Sequence, residues 1–140
     1  MTTPPPAAVR TFDWDDLPAV SALWRTAGLE LLAEEELRAT LEHGADLLVT
    51  EARATGVVGV VLGTFDGRRG WIHRLAVRPG HRRGGLATAL VGDLERRLHE
   101  RGAGRVNLLV LPENAGGLAF WQRQGYLPCP DVVCTKPLAQ

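Results

Sequence analysis

The sequence predicts an α/β fold in which helices cover a mixed sheet, and three observations carry that prediction. Short β-rich runs follow one another from Asp46 to Pro79, the pattern of an antiparallel meander. Leu86, Leu90, Leu94 and Leu98, with Ala87 and Val91, then form an apolar stripe at four-residue spacing, which is a helix. "RVNLLVLP" follows as a nearly continuous apolar run, the pattern of a strand buried on both faces. A chain of 140 residues is long enough to bury one core and too short for two ordinary domains.

Residues 1–8, "MTTPPPAA", are expected to form a disordered tail, which leaves 9–140 as the single domain. Val9 to Phe12 reads as a short strand. Asp13 or Asp15 can cap a first helix, whose Leu17, Val20, Leu23 and Trp24 recur at helical spacing and which Gly28 ends. "AEEELRATLEHG" is a second helix with acidic residues in its first turn and Gly44 as its stop. Asp46 to Ala52 and Val57 to Phe65 are strands joined by "RATG", and the turn "DGRRG" leads into a third strand, "WIHRLAVRP". After the leucine-striped helix and the buried strand, "ENAGGLAFWQRQG" is a short helix stopped by Gly125. "YLPCPDVVCTKPL" supplies closing strands.

Composition narrows the function by exclusion. Sixteen basic residues balance sixteen acidic ones, so no global charge advertises a nucleic acid or a membrane, and any anion site must be local. Cys129 and Cys134 lack the C-x-x-C spacing of redox or zinc motifs, which fits a reducing, cytoplasmic setting. His43, His73, His81 and His99 form no ligand cluster, so no metal is expected. No apolar run of about 20 residues and no leader is present, so the protein reads as soluble and intracellular.

The chemistry concentrates in "HRRGGLATAL". Two adjacent glycines weaken a helix interior by roughly 1 kcal/mol each relative to alanine, so they belong in the turn before the helix at Leu86. The first N–H groups of that helix have no intrahelical partners and favour an anion. Gly84, Gly85 and Ala87 leave the backbone accessible to an elongated phosphate, with Arg82 and Arg83 beside it. A plain turn flanked by solvated arginines is the other reading. G-x-G-x-x-G is absent, so a dinucleotide fingerprint is disfavoured.

"LAVRPGHRRGGLATALV" resembles the acetyl-CoA-binding segment of the GNAT superfamily of N-acetyltransferases, whose signature is Arg or Gln, two residues, Gly, one residue, then Gly or Ala. Arg82, Gly85 and Ala87 fill those positions. "PENAGGLAFWQRQGY" is similar to a later family segment through Asn114, Gly125 and Tyr126. From "GTFDGRRG" to the terminal "KPL" the chain most resembles small, poorly characterised bacterial members. The resemblance implies a mixed, mostly antiparallel central sheet flanked by about four helices, with parted strands forming the coenzyme cleft. It makes 9–140 one acetyltransferase domain with acetyl-CoA as co-substrate. Backbone from Arg82 through Arg83, Gly84, Gly85 and Leu86 to Ala87, continuing to Thr88, would bind the pyrophosphate. Leu75, Ala76 and Val77 would pair with the pantetheine arm, parted from a strand at Asn107 to Leu111. Asn114 would hydrogen-bond the pantetheine, or serve only as a helix N-cap.

Acetyl transfer needs a neutral amine. A lysine-like amine of pKa about 10.4 is neutral about once in 2,500 molecules at pH 7, a deficit of about 4.6 kcal/mol. His73 is the candidate catalytic base, since histidine titrates near neutrality and general bases contribute about 10² to 10⁴ in rate. By alternation it shares a strand face with Trp71, Leu75 and Val77. "IHRLAV" also resembles the equivalent strand of arylalkylamine acetyltransferases, where a histidine is tied to proton transfer; a half-buried histidine satisfied by a carbonyl or water is the alternative. Other members place a glutamate where this chain has Leu109 and Val110. Trp121 stands where many members have an acidic tyrosine. An indole N–H cannot act as an acid near neutral pH, so Trp121 reads as a shaper of the thioester pocket or as core packing.

The acceptor is an unidentified amine, expected near Trp24, Leu29, Leu31, Leu32 and the run Glu34 to Glu36, as the resemblance implies. No nucleic acid or membrane partner is expected, and a homodimer is left open. The competing class is a non-catalytic acyl-CoA-binding or sensing module of the same fold.

Overall fold

The computed structural model describes residues 8–82 and 85–139; the expectations for the tail before Ala8 and for Arg83 and Gly84 lie outside the described residues. Five strands form one sheet in the order β1-β2-β3-β4-β5: β1 Val9–Thr11, β2 Asp46–Ala52, β3 Gly56–Phe65, β4 Gly70–Val77 and β5 Val106–Leu108. The helices are α1 Leu17–Thr26, α2 Glu34–Glu42, α3 Leu86–Glu100 and α4 Ala115–Arg123. β1 to β4 pair antiparallel, and β5 joins β4 in parallel after α3 has made the crossover such a pair requires. The α/β class, the mostly antiparallel sheet and the four helices are as the sequence predicts.

The chain divides into two compact units, Met1–Leu109 with the sheet and α1 to α3, and Val110–Gln140 with α4. In the second unit the expected closing strands are absent: residues 126–139 form neither helix nor strand. Pro128, Pro130 and Pro137 each remove a backbone donor that a ladder needs, and Leu127 and Leu138 stand 77% and 95% exposed. β5 is also shorter than the expected 107–111 run, ending at Leu108.

In the first unit Asp13 caps a 3-10 turn, Trp14–Asp16, that leads into α1; its Oδ1 accepts from the Asp15 N–H at 2.9 Å. Arg10 ties β1 to this turn through Asp16 at 2.8 Å and also reaches Glu51. Cross-strand pairing sets the core. Val49, Val60 and Ala76 form one row, and Leu47 and Leu62 the next, burying against Val20, Leu23, Trp24 and Leu37 of α1 and α2. The other face lies close under α3. A Cβ added at Gly63 would come within 2.4 Å of Leu94, and one at Gly59 within 3.0 Å of Leu90. These glycines are required by close approach, which is why the leucine stripe can sit directly on the strands.

Trp24 is 1% exposed, and its indole N–H donates to the Arg74 carbonyl at 2.8 Å. Trp24→Phe keeps most of the apolar contact but leaves that carbonyl unsatisfied. It is expected to lower stability by about 1–3 kcal/mol, seen as a lower urea midpoint at unchanged slope.

Candidate active site

The site begins with an irregularity in β4. Val60 pairs with Ala76 and Leu62 with His73, so Val61 of β3 opposes two residues of β4, Arg74 and Leu75. This is a β-bulge, and Arg74 occupies it at φ 55°. A non-glycine residue in the left-handed region costs about 1–2 kcal/mol, and tertiary contacts offset it. The Arg74 carbonyl accepts from Trp24, its guanidinium lies 4.4 Å from the centroid of the Trp24 ring, and it donates to the Glu30 carbonyl.

The bulge corrects the expected face of β4. Trp71 and His73 share a face, paired across the strands with Thr64 and Leu62, but the extra residue brings Ala76, 5% exposed, onto that face in place of Leu75. Val77 pairs with Gly59 and turns to the α3 side, where its Cγ2 would lie 3.6 Å from a Cβ at Gly59. Strict alternation fails because one inserted residue inverts every position after it.

The bulge lies where β4 loses its parallel neighbour. Pairing with β5 covers Gly70, Trp71 and Ile72 only, and β4 continues to Val77 without a β5 partner among the described residues. Leu75, Ala76 and Val77 therefore lie on the unpaired stretch. Beyond it, the 3-10 turn Pro79–His81 leads to Arg82, whose Nε donates back to the Val77 carbonyl at 3.3 Å. Gly85 precedes α3 at φ +79°, and α3 has neither a side-chain cap nor an acidic residue in its first turn. The Ala89 N–H donates to the Gly85 carbonyl at 3.0 Å, and Leu86, Ala87 and Thr88 lie in the leading turn of α3. Among the described residues, its chain neighbours aside, a Cβ added at Gly85 would meet no atom within 4 Å. An accessible backbone and a positive helix end without a carboxylate are what an elongated diphosphate requires.

His73 is half-buried, its Nε2 is 3.0 Å from Thr64 Oγ1, and its ring stacks on Trp71 at 6.4 Å between centroids. Its partner is thus a hydroxyl, where the sequence suggested a carbonyl or water. Burial first, and the Arg74 charge second, hold its pKa below the ordinary 6.5. Trp24, expected beside the acceptor, belongs to the core; Leu29 and Leu32 pack against that core, and Leu31 is 45% exposed. Thr64 and Arg74 were not singled out by the sequence. The tight turn closed by the Asp66 N–H on the Arg69 carbonyl foreshadows the pairing of Thr64 with Trp71, whereas nothing local announces the bulge.

In the second unit Asn114 is an N-cap of α4. Its Oδ1 accepts from the Gly117 N–H at 2.9 Å, and a Cβ at Gly117 would lie 2.3 Å from the Asn114 amide nitrogen. The cap uses the oxygen; pantetheine would be read by the amide N–H. Asn114→Ala is expected to cost about 1 kcal/mol of stability by thermal or urea unfolding. Asn114→Asp keeps the cap and removes the donor, so it should lower coenzyme affinity while sparing the midpoint; unchanged affinity would leave Asn114 as a cap alone. Trp121 is half-buried in an aromatic cluster, edge-on to Phe120 at 4.9 Å and to Tyr126 at 5.4 Å.

A sheet whose β4 runs free of β5 beyond Ile72 and leads to Gly85 before α3 is a frame of the α/β class that solved acetyltransferases share. The chain belongs to the GNAT acetyltransferases: the family model described as "Acetyltransferase (GNAT) family" matches residues 7–126. Among curated bacterial relatives, an acetyltransferase of Pectobacterium atrosepticum is 32% identical over 137 residues, covering 94% of this chain and 96% of the relative. A Yersinia pestis protein named as an uncharacterized N-acetyltransferase is 34% identical over 136 residues, covering 93% and 94%. Among solved structures, a Trypanosoma brucei acetyltransferase superposes with a TM-score of 0.76 at 23% identity, covering 94% of this chain and 99% of that one, a likeness of fold.

Proposed function

We propose that this acetyltransferase uses acetyl-CoA to acetylate a primary amine, by direct transfer in a ternary complex. The observation that carries the reading is the stretch of β4 beyond Ile72, free of β5 and leading to the accessible backbone at Gly85. The backbone from Arg82 to Thr88, including Arg83 and Gly84, holds the pyrophosphate. Leu75, Ala76 and Val77 offer backbone groups to the pantetheine arm, and Asn114 donates to it. The bound thioester supplies the acetyl group and a leaving thiolate, whose thiol pKa near 8.5 makes it a fair leaving group.

His73 takes the proton that the amine must lose, and its depressed pKa keeps the imidazole neutral and ready to accept it at pH 7. Trp121 shapes the thioester pocket and donates no proton, so the thiolate takes its proton from water or from the amine. Residues 9–140 act as one acetyltransferase domain in the bacterial cytoplasm, with no metal, nucleic acid or membrane in the reaction. Among the described residues no helix is long and apolar enough to cross a membrane, and no group of three or more His, Cys, Asp or Glu side chains could hold a metal ion.

The test is free-thiol release from acetyl-CoA with n-butylamine, spermidine, lysine and a short peptide with a free N-terminus. Turnover of any of them supports transfer. Tight coenzyme binding with turnover of none would favour the acyl-CoA-binding module, for which Trp121, Leu109 and Val110 at the family's acid and base positions already argue.

A further inference from the structure

A cavity of about 410 Å³ opens between α2 and the end of β3, walled by Glu36, Thr40 and His43 on one side and by Thr64 and Phe65 on the other. Among its lining residues Glu36 alone carries a negative charge, and none is lysine or arginine. Two of its polar groups are already engaged. The Thr40 hydroxyl donates to the Glu36 carbonyl at 2.8 Å, and His43 Nδ1 lies 2.7 Å from the Ala39 carbonyl, so that nitrogen carries its proton. Thr64 is different: the residue lines the cavity, and its Oγ1 lies 3.0 Å from His73 Nε2. A hydroxyl that donates to an imidazole nitrogen keeps two lone pairs with which to accept from a ligand.

Resting on the reading of His73 as the base, we propose that this cavity receives the acceptor as an ammonium, held by Glu36, and that the Thr64 hydroxyl relays its proton to His73. The step balances without any further reactant. The ammonium N–H bond breaks as the proton passes to Thr64 Oγ1, the hydroxyl proton passes to His73 Nε2, and a neutral amine and an imidazolium result. The charged and titratable groups around this pair are Arg74 on β4, whose charge acts on His73, Glu30 in the loop before α2 and Glu36 on α2, whose charges act on Arg74, and His43 at the end of α2, which lines the cavity with Glu36 and Thr64. The substrate class is therefore a cationic primary amine.

The experiment is kcat/KM against pH with n-butylamine and spermidine, for wild type, Thr64→Val, Thr64→Ser, Glu36→Gln, His43→Gln and His73→Ala, together with an imidazole NMR titration of His73 in the free proteins. Thr64→Val should lose about tenfold or more in kcat with little change in KM, and its His73 should change tautomer balance. Thr64→Ser should restore kcat to within about threefold of wild type. Glu36→Gln should raise KM and spare kcat. Thr64→Val within about threefold of wild type, while His73→Ala is crippled, overturns the relay and leaves the base. An active His73→Ala overturns the base and the relay with it, as does an acidic limb that disappears with His43→Gln. A KM unchanged in Glu36→Gln, or no turnover of either amine by the wild type, overturns the ammonium site.

Discussion

Replacing His73 by alanine is expected to lower kcat/KM by about 10² or more and to remove the acidic limb of its pH profile. The limb should lie below pH 6.5, because burial and the Arg74 charge both disfavour the imidazolium. Activity then rises as pH increases through the folded-state pKa and levels off above it. The same shift fixes a stability trend. Between the folded value and 6.5 the unfolded chain binds more protons, so the contribution of His73 is fully present above 6.5 and is lost as pH falls towards the folded value. His73→Gln should flatten that loss in urea melts at successive pH values. A His73→Ala variant within about threefold of wild type, with the limb intact, would return this side chain to a purely structural role.

Gly85→Val is expected to weaken coenzyme A binding by about 10² or more, read by calorimetry. Two effects act at this position. At φ +79° an L side chain is strained by about 1–2 kcal/mol, which unfolding measurements will register. The second effect bears on function: a Cβ here meets no other described residue within 4 Å, its chain neighbours aside, and the pyrophosphate is proposed to occupy that space. Gly85→Asn separates the two, since asparagine tolerates a positive φ and still projects a side chain. Loss of affinity in both variants supports the placement. An asparagine variant that binds coenzyme A as well as wild type would move the pyrophosphate elsewhere.

The hairpin of β3 and β4 shows where a local reading of the site stops. Its turn, its strands and the presence of His73 on β4 follow from turn chemistry and β-rich composition between Val57 and Val77. Alternation then fails at Arg74, because the bulge depends on contacts from Trp24 and Glu30, distant in sequence. The closing strands fail for another reason. Residues 126–139 carry apolar side chains, but their prolines interrupt any ladder, and composition alone does not distinguish a strand from an exposed segment.

By itself the sequence determined the order of the elements as far as α4, the leucine face of α3, the glycine at its start and, through Arg82, Gly85, Ala87 and Asn114, the family. These are properties of spacing and of single residues, decided within a few positions along the chain. Tertiary structure decided which residues face one another. It inverted β4 after His73, set Thr64 on the imidazole, engaged the oxygen of Asn114 in a cap, and ended β5 at Leu108. The physical reason is that cross-strand register, a strained φ at a bulge and burial against a helix are settled by packing between segments far apart in the chain.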